Sequence, residues 1–455
     1  MNHRTTHFAQ AALIALLTAA LTPATAAVSA EEAAKLKSTL TPLGGEKAGN
    51  KDGTIPAWDG GYTKVPAGYK SGQPRPDFFA NDKPLYSVTA KNMEQYADKL
   101  NETTKALLKK HPDYRLDVYP TRRTAAAPQW VYDNTFKNAT RAKTTRGGDG
   151  FEGAYGGVPF PIPKNGAEIM WNHRTSWSGE NGTGQFTTWI VTGQGKRLMA
   201  SKYDEFFTNP YYYKDGSAEA FDGFYVKNKL LTLEPASKSG EALLNWQHAE
   251  QDKSAVWQYL VGQRRVRRSP SIAYDTPNFI TSGIGFFDEG FGVYGPLDRH
   301  DVKIVGKQEF YVPYNNNKAA QAAPEQLLSP NFLNPDLVRW ELHRVWVVDA
   351  TLREGKRHVV PKRRYYLDED TWNILLSDGW DAKGQLWRGY YSLTLLAPDV
   401  PALLGNVVNW GGYNVQTGEY YLSVATVGSP VQYEITPRKP DAAFSPEGLA
   451  NEGSR

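Results

Sequence analysis

The feature of this sequence that most constrains its fold is a long succession of segments in which apolar and polar residues alternate, beginning near residue 115. Alternation with a period of two is typical of a strand that packs one face on a core. Because short polar breaks join the segments and few helical patterns separate them, antiparallel pairing is favoured over a parallel sheet. The predicted strands lie in RLDVYP, QWVYDNTF, AEIMWNHRTSW, GQFTTWIVTG, GFYVKNKLLTLE, ALLNWQHAE, AVWQYLVGQRRVRR, KQEFYVPY, RWELHRVWVVDATL, HVVPKRRYYLDED, GQLWRGYYSLTLLA and EYYLSVATV.

These strands predict a mainly β (α+β) fold: a large curved antiparallel sheet or incomplete β-barrel, with a few covering helices and an extended N-terminal arm. Two short segments are predicted as hairpin loops, GQGKR (193–197) and REGKR (353–357), and Gly355 takes the positive φ that the second one requires. An outer-membrane barrel is the alternative. Segments such as VPKRRYYLDED disfavour it, because they carry charges on both faces and membrane barrel strands keep charges off the lipid side.

The part of the chain before the strands predicts an arm and a helix. Residues 41–76 are dominated by turn formers and predict an ordered arm with Trp58 and Tyr62 as anchors, a disordered linker being the alternative. KNMEQYADKLNETTKALLKKHP (91–112) predicts one amphipathic helix that ends at Pro112. Its apolar face carries Met93, Tyr96, Ala97, Leu100 and Leu107.

The first 26 residues predict a cleaved signal peptide. Arg4 precedes the apolar run 11–21, and residues 24–26 (ATA) are the small residues that a signal peptidase needs. A membrane anchor is disfavoured because the run is shorter than the roughly 20 residues that cross a bilayer. We expect cleavage after Ala26, or alternatively after Ala30. The predicted divisions are 1–26 signal peptide, 27–114 arm and helix, 115–435 β domain, and 436–455 polar C-terminal tail.

Composition narrows the compartment and the partners. The chain has no cysteine, which excludes a lipid-bearing lipoprotein terminus, disulfides, a thiol nucleophile and thiolate metal ligands. A secreted eukaryotic domain of this size usually carries disulfides, so a Gram-negative periplasm is favoured. The net charge of +4 is too small for a dedicated nucleic-acid binder.

The search for catalytic motifs finds little. There is no G-x-S-x-G elbow and no H-E-x-x-H, and after residue 26 there is no histidine pair at metal-ligand spacing, so we predict no catalytic residue, metal or cofactor. Asp368 and Asp370 in LDEDTW (367–372) are the one acidic pair beside aromatic residues, as a glycosidase requires. A solvated hairpin loop is the simpler interpretation of that segment.

Aromatic strand faces are the remaining candidates for a binding site. With 26 Tyr and 13 Trp, the chain has the side chains to line a concave surface that binds a lipid, another hydrophobic molecule or a sugar, although each of them also suits core packing. The predicted ligand-binding residues are Trp171, Trp189, Trp257, Tyr259, Trp340 and Trp346. In VGQRRVRRSP (261–270), alternation places Arg264 and Arg268 on the face of Val266, and we predict that this pair contacts a headgroup or a partner.

Several long blocks resemble one family of bacterial proteins. The chain resembles an uncharacterised family, a domain of unknown function placed in the outer-membrane lipoprotein-sorting (LolA/LolB-like) superfamily. The blocks are LTPLGGEKAGNKDGTIPAWDGG (40–61), GGVPFPIPKNGAEIMWNH (156–173), VWQYLVGQRRVRRSPSIAYDTP (256–277), YVPYN (311–315), HRVWVVDATLREGKRH (343–358) and YLDEDTWNILLSDGWDAKGQLWR (366–388).

The resemblance implies an incomplete barrel whose concave apolar face holds acyl chains, without a cofactor and without catalysis. It also implies an accessory role beside efflux-type inner-membrane transporters or an outer-membrane partner. We therefore predict a non-enzymatic periplasmic carrier or chaperone of a lipid or other hydrophobic ligand. The alternative is a periplasmic glycan-binding protein or carbohydrate-active hydrolase that uses the Trp/Tyr surface with Asp368 and Asp370.

Overall fold

A computed structural model describes residues 27–269, 272–405, 407–425 and 432–453. The predicted signal peptide, residues 1–26, lies outside the described residues. Within these ranges no helix has both the length and the apolar character needed to cross a membrane. The helices are α1 (Ala30–Ala34), α2 (Glu102–Lys110), α3 (Gln129–Arg141), α4 (Gly166–Arg174), α5 (Asn317–Gln321), α6 (Pro324–Leu327) and α7 (Pro446–Gly453).

Strands make up most of the regular structure. They are β1 (Tyr86–Thr89), β2 (Arg115–Val118), β3 (Lys143–Thr145), β4 (Gly150–Glu152), β5 (Asn181–Val191), β6 (Arg197–Thr208), β7 (Phe224–Glu234), β8 (Ala242–His248), β9 (Ala255–Leu260), β10 (Arg265–Arg268), β11 (His300–Pro313), β12 (Trp340–Leu352), β13 (Lys362–Asp368), β14 (Ile374–Trp380), β15 (Leu386–Ser392), β16 (Leu395–Ala397), β17 (Ala402–Leu404), β18 (Trp410–Asn414), β19 (Glu419–Ala425) and β20 (Glu434–Ile435).

One large sheet organises the molecule. Its strands follow the order β1-β2-β12-β13-β14-β15-β18-β19-β5-β6-β7-β8-β9-β10, with β11 beside β12 and β20 beside β5. Every pairing is antiparallel except the single contact between β2 and β12. In the described part of the chain β1 and β10 do not pair with each other, so the sheet is open. The predicted fold class, a large antiparallel sheet that stops short of a closed barrel, is confirmed.

The predicted hairpin loops are confirmed by their backbone. Gly195 lies between β5 and β6 with φ of 79°, and Gly355 lies between β12 and β13 with φ of 74°. A side chain at either position would be strained, because L residues rarely adopt positive φ.

The sheet is covered on both faces, unlike a simple half-exposed sheet. One hydrophobic cluster contains Val345 and Val347 of β12, and another contains Val348 and Ala350, which alternation places on the opposite face of the same strand. Residues 436–453, predicted as a polar tail, include α7, which contacts β8, β9 and β10, and the buried Phe444.

Two segments predicted as strands are helices, and those predictions were wrong. QWVYDNTF lies in α3, and AEIMWNHR lies in α4. In α4 the side chain of Asn165 accepts a hydrogen bond from the Glu168 backbone N–H, so it caps the helix start. Both segments contain a continuous apolar stripe that fits one buried helix face as well as a strand.

The two predicted anchors of the N-terminal arm contact the rest of the protein, whereas the predicted helix is divided into two segments. In the arm, Trp58 Nε1 donates to the Ala125 carbonyl at 2.9 Å, and Tyr62 packs against the core. The prediction of a single helix over residues 91–112 was wrong. A 3-10 segment ends at Lys99, and α2 starts anew after Asn101, whose side chain accepts from the Thr104 N–H.

Candidate functional site

A cavity lies where β5, β6, β7 and β8 meet the C-terminal end of α4 and the loop 291–295. Its volume is about 120 Å³. An engineered apolar cavity of about 150 Å³ binds benzene, so this space accepts about one ring or a short acyl segment. We call it the aromatic cavity. Its ring-bearing and apolar lining is Phe186, Phe207, Tyr211, Tyr212, Tyr225, Val226, Phe291, Val293, Tyr294, Val407 and Tyr433.

A row of polar side chains crosses neighbouring strands inside the aromatic cavity. Asn228 Nδ2 donates to Glu205 Oε1 at 2.9 Å, and Asn245 Nδ2 donates to Asn228 Oδ1 at 2.5 Å. Gln247 Nε2 donates to Asn245 Oδ1 at 2.8 Å and to Tyr294 Oη at 3.1 Å. The row satisfies buried polar groups and fixes the orientation of the amides.

Glu205 has no ion-pair partner among the described residues. Burial raises the pKa of its carboxyl from 4.5 to about 7, and the hydrogen bond from Asn228 opposes that rise. The cavity therefore contains a carboxyl group that is neutral in mild acid.

Arg174 supplies the positive charge of the aromatic cavity. Its Nη2 donates to the Gly295 carbonyl, and its guanidinium lies 5.0 Å from the ring centroid of Trp171. Its Nε is buried without a hydrogen-bond partner. Burial lowers the pKa of the Arg174 guanidinium, which still carries its charge.

His173 fixes the wall that carries Arg174. Its Nε2 lies 3.0 Å from the Phe291 carbonyl, and its Nδ1 accepts from the Ile374 N–H at 3.2 Å. Burial lowers the pKa of His173 to about 3, so the neutral tautomer with a proton on Nε2 satisfies both contacts. The imidazole thereby ties α4 to the loop 291–295 and to β14.

The six aromatic residues predicted from sequence do not form one site. Trp171 is buried, and it contacts Arg174 and Tyr225 of the cavity lining. The other five pack in the hydrophobic clusters of the sheet: Trp189 and Trp340 in one, Trp346 in a second, and Trp257 and Tyr259 in a third beside α7. Their role in ligand binding remains a prediction.

The arginine run lies at the β10 edge of the sheet, away from the aromatic cavity. Arg264, Arg265, Arg267 and Arg268 are all exposed. The expected sharing of a strand face by Arg264 and Val266 was wrong, because Arg264 precedes β10 in a left-handed conformation with φ of 50°. Contact of Arg264 and Arg268 with a headgroup or partner remains a prediction.

We expect the double substitution Arg264→Ala and Arg268→Ala to change the free energy of unfolding by no more than about 0.5 kcal/mol, since both side chains are exposed. Urea unfolding followed by tryptophan fluorescence measures this. A loss above about 2 kcal/mol would show that the edge is held by these side chains.

A second polar cluster surrounds Asp368 and Asp370, and it is buried. His343, Asp368 and Asp370 each offer a potential metal-ligand atom, and these atoms lie within 4.8 Å of one another. Arg123 donates to both oxygens of Asp370, at 2.8 Å from Nε and 2.6 Å from Nη2. His343 Nε2 lies 2.9 Å from Glu341 Oε2. The Asp370 carboxylate is therefore already paired with a guanidinium.

The pKa of Asp368 is raised to about 6, first by burial and then by the neighbouring Asp370 carboxylate. Its Oδ2 accepts from Tyr314 Oη at 3.0 Å and from Thr371 Oγ1 at 2.8 Å. The side chains of Asp368 and Asp370 are no more than 2% exposed, so neither reaches a bulky sugar.

Comparison with known proteins places the chain in a family. The family model described as "Protein of unknown function (DUF1329)" matches residues 87–450. The chain belongs to this family. It is 36% identical over 449 residues to the uncharacterized protein PA3922 of Pseudomonas aeruginosa, covering 94% of this chain and 95% of that protein. The family resemblance predicted from the sequence is thus confirmed, and membership in DUF1329 carries no stated activity.

Solved structures similar to this DUF1329 chain include three bacterial proteins. A DUF1329 family protein from Desulfovibrio piger is 15% identical, with a TM-score of 0.42, over 62% of this chain and 96% of that one. A putative outer membrane lipoprotein-sorting protein domain from Vibrio parahaemolyticus is 14% identical, with a TM-score of 0.43, over 62% and 97%. The LolA superfamily protein NE2245 from Nitrosomonas europaea is 8% identical, with a TM-score of 0.36, over 62% and 98%.

Proposed function

We propose that this protein is a non-enzymatic periplasmic carrier that encloses a hydrophobic ligand in the aromatic cavity. The observation that carries the proposal is the cavity itself, a space of about 120 Å³ against strands β5–β8 that is lined mainly by aromatic and aliphatic side chains. Burial of apolar ligand surface there contributes about 25 cal/mol per Å². An inner-membrane transporter or an outer-membrane protein is the proposed exchange partner.

The covering elements support uptake and release. The loop 291–295 and the end of α4 form one wall, and the sheet forms the other. Phe291 and Tyr294 are half-buried, whereas the sheet residues Phe186 and Tyr225 are buried. A ligand longer than one ring requires this wall to move outward, and the loop is the element with the fewest strand hydrogen bonds to break.

The glycan-hydrolase alternative loses its main support. Both carboxylates on which it depended are buried, and Asp370 is held by Arg123. A glycosidase needs two carboxyl groups that face a sugar from opposite sides of a cleft, and these two face protein.

The test is binding of the neutral fluorophore N-phenyl-1-naphthylamine to the purified protein. We expect a saturable rise in fluorescence for the wild type. Val226→Trp places a larger side chain in the cavity lining, and we expect it to weaken binding at least tenfold because it fills the space that the ligand needs.

The matched control is Val305→Trp, at a β11 position that is 46% exposed and outside the cavity lining. It should bind the fluorophore as the wild type does. Absence of saturable binding to the wild type, or equal binding by the Val226→Trp variant, would contradict the proposal. Thermal unfolding of each variant verifies that it is folded.

A further inference from the structure

Arg174 is half-buried and, unlike the buried arginines Arg123, Arg363 and Arg388, it has no carboxylate partner among the described residues. Two hydrogen bonds to a single carboxylate are donated by each of Arg123, Arg363 and Arg388. These pairs raise the pKa of each guanidinium, whereas burial lowers that of Arg174. The Arg174 side chain is half-buried, but its Nε is buried and has no hydrogen-bond partner, which is unfavourable for a cation unless something else supplies an acceptor with negative charge.

The described residues around Arg174 do not supply that charge. No carboxylate oxygen lies within 4.0 Å of its guanidinium in the described ranges. Asp149, the acid that most affects Arg174, lies 3.7 Å from Arg353 instead. The guanidinium of Arg174 contacts the Gly295 carbonyl and the face of the Trp171 ring. Both contacts position the guanidinium without neutralising its charge.

The acid that shares the cavity does not neutralise Arg174 either. Glu205 forms no ion pair with it, and the electrostatic effects of both groups meet at Tyr294, whose pKa Glu205 raises and Arg174 lowers. The polar row from Glu205 through Asn228 and the guanidinium of Arg174 therefore both line the cavity without pairing with each other. Most of the remaining large lining side chains are aromatic, and they suit an apolar body.

We propose that Arg174 binds the negatively charged group of the ligand, so that the cargo is an amphipathic anion with a carboxylate or phosphate on an apolar body. The inference rests on the proposed carrier function and specifies its ligand class. A guanidinium binds either group through two parallel hydrogen bonds, and the buried Nε has a donor still to satisfy. The apolar body then packs on the cavity rings.

The experiment compares two fluorescent probes with the same polyene chain, cis-parinaric acid and its methyl ester, at pH 6, where Glu205 is still mainly protonated in the folded protein. The wild type should bind the acid at least tenfold more tightly than the ester, because only the acid carries a charge for Arg174. In Arg174→Gln that preference should disappear through weaker binding of the acid, while ester affinity stays within about twofold. Arg174→Lys should restore part of the preference, since it restores the charge.

Arg357→Gln serves as the matched control, because it removes an exposed arginine from the loop between β12 and β13, outside the cavity lining, and should leave both affinities unchanged. Displacement of bound acid by dodecanoate and by dodecyl phosphate distinguishes carboxylate from phosphate preference. Equal wild-type affinity for acid and ester would overturn the inference, and this comparison needs no variant to fold. Binding of N-phenyl-1-naphthylamine without either parinarate would also overturn it, whereas failure of all three probes would overturn the carrier function itself.

Discussion

Substitution of Arg123 by methionine is expected to lower the free energy of unfolding by about 3–5 kcal/mol, because it leaves buried acceptors without their cation. Arg123 is 2% exposed and donates to both oxygens of Asp370. It also donates to the backbone carbonyls of Glu46, Lys47 and Pro56 in the N-terminal arm. One side chain thus joins the arm to the turn after β13.

Urea unfolding measures the effect, and Arg364→Met is the matched control. Arg364 likewise donates two hydrogen bonds to Asp349, from Nε to Oδ1 at 2.6 Å and from Nη2 to Oδ2 at 2.8 Å. The two side chains are, however, 33% and 25% exposed. Water screens that pair, so its loss should lower the free energy of unfolding by no more than about 1 kcal/mol. Equal effects of the two substitutions would contradict the assignment of Arg123 as the buried anchor.

A double variant separates charge from packing at Arg123. Arg123→Met combined with Asp370→Leu removes both charges, and it should recover a large part of the lost stability because no unpaired charge stays buried. The carbonyls of the arm lose their donor in both variants, so recovery is expected to be partial. Faster amide exchange of residues 46–56 in both variants would locate the remaining defect in the arm.

The strands of this fold could be predicted from sequence because their pattern is local. Alternation in segments such as GQFTTWIVTG and EYYLSVATV placed β5 and β19 correctly, and the glycines of the loops marked two hairpins. The order of the strands in the sheet could not be predicted in this way. β19 pairs with β5 across more than 200 residues of chain, and no local pattern specifies that neighbour.

The two missed helices show where periodicity becomes ambiguous. The segment of α4 has the apolar residues Ile169, Met170 and Trp171 in succession, which fits a buried strand as well as a buried helix. A usable signal was present, since Asn165 followed by Glu168 three residues later is the pattern of a helix start. With that signal, Arg174 falls at a helix end.

The candidate site was less predictable than the fold, because its groups come from distant parts of the chain. Glu205, Asn228 and Asn245 meet only once three strands pair in one register. Elsewhere in the fold, Asp288 pairs with Arg363 across 75 residues, a contact that no local pattern specifies. The aromatic prediction selected tryptophans, whereas the cavity rings are mainly tyrosine and phenylalanine. Sequence composition thus indicated an aromatic lining without identifying its members.

Substitution of Glu205 by glutamine is expected to stabilise the protein at pH 8 by about 3 kcal/mol and to have little effect at pH 4. Glutamine keeps the oxygen that accepts from Asn228 and removes the ionisable group. Burial raises the pKa of Glu205 from 4.5 to about 7. Below pH 4.5 the carboxyl is protonated in both the folded and the unfolded chain, so it makes no difference to stability there.

Between pH 4.5 and 7 the unfolded chain ionises at Glu205 while the folded chain retains the proton, so the wild type loses stability as pH rises. Above pH 7 the carboxyl of Glu205 is ionised in both states, and the loss of stability has reached its full size. The difference in free energy of unfolding between variant and wild type, measured by urea unfolding at pH 4, 6 and 8, isolates this group because the other titrations cancel. Glu152→Gln, at an exposed position of β4, should show no such trend. A constant difference across the three pH values would mean that Glu205 ionises alike in both states, and the aromatic cavity would then hold a charged carboxylate opposite Arg174.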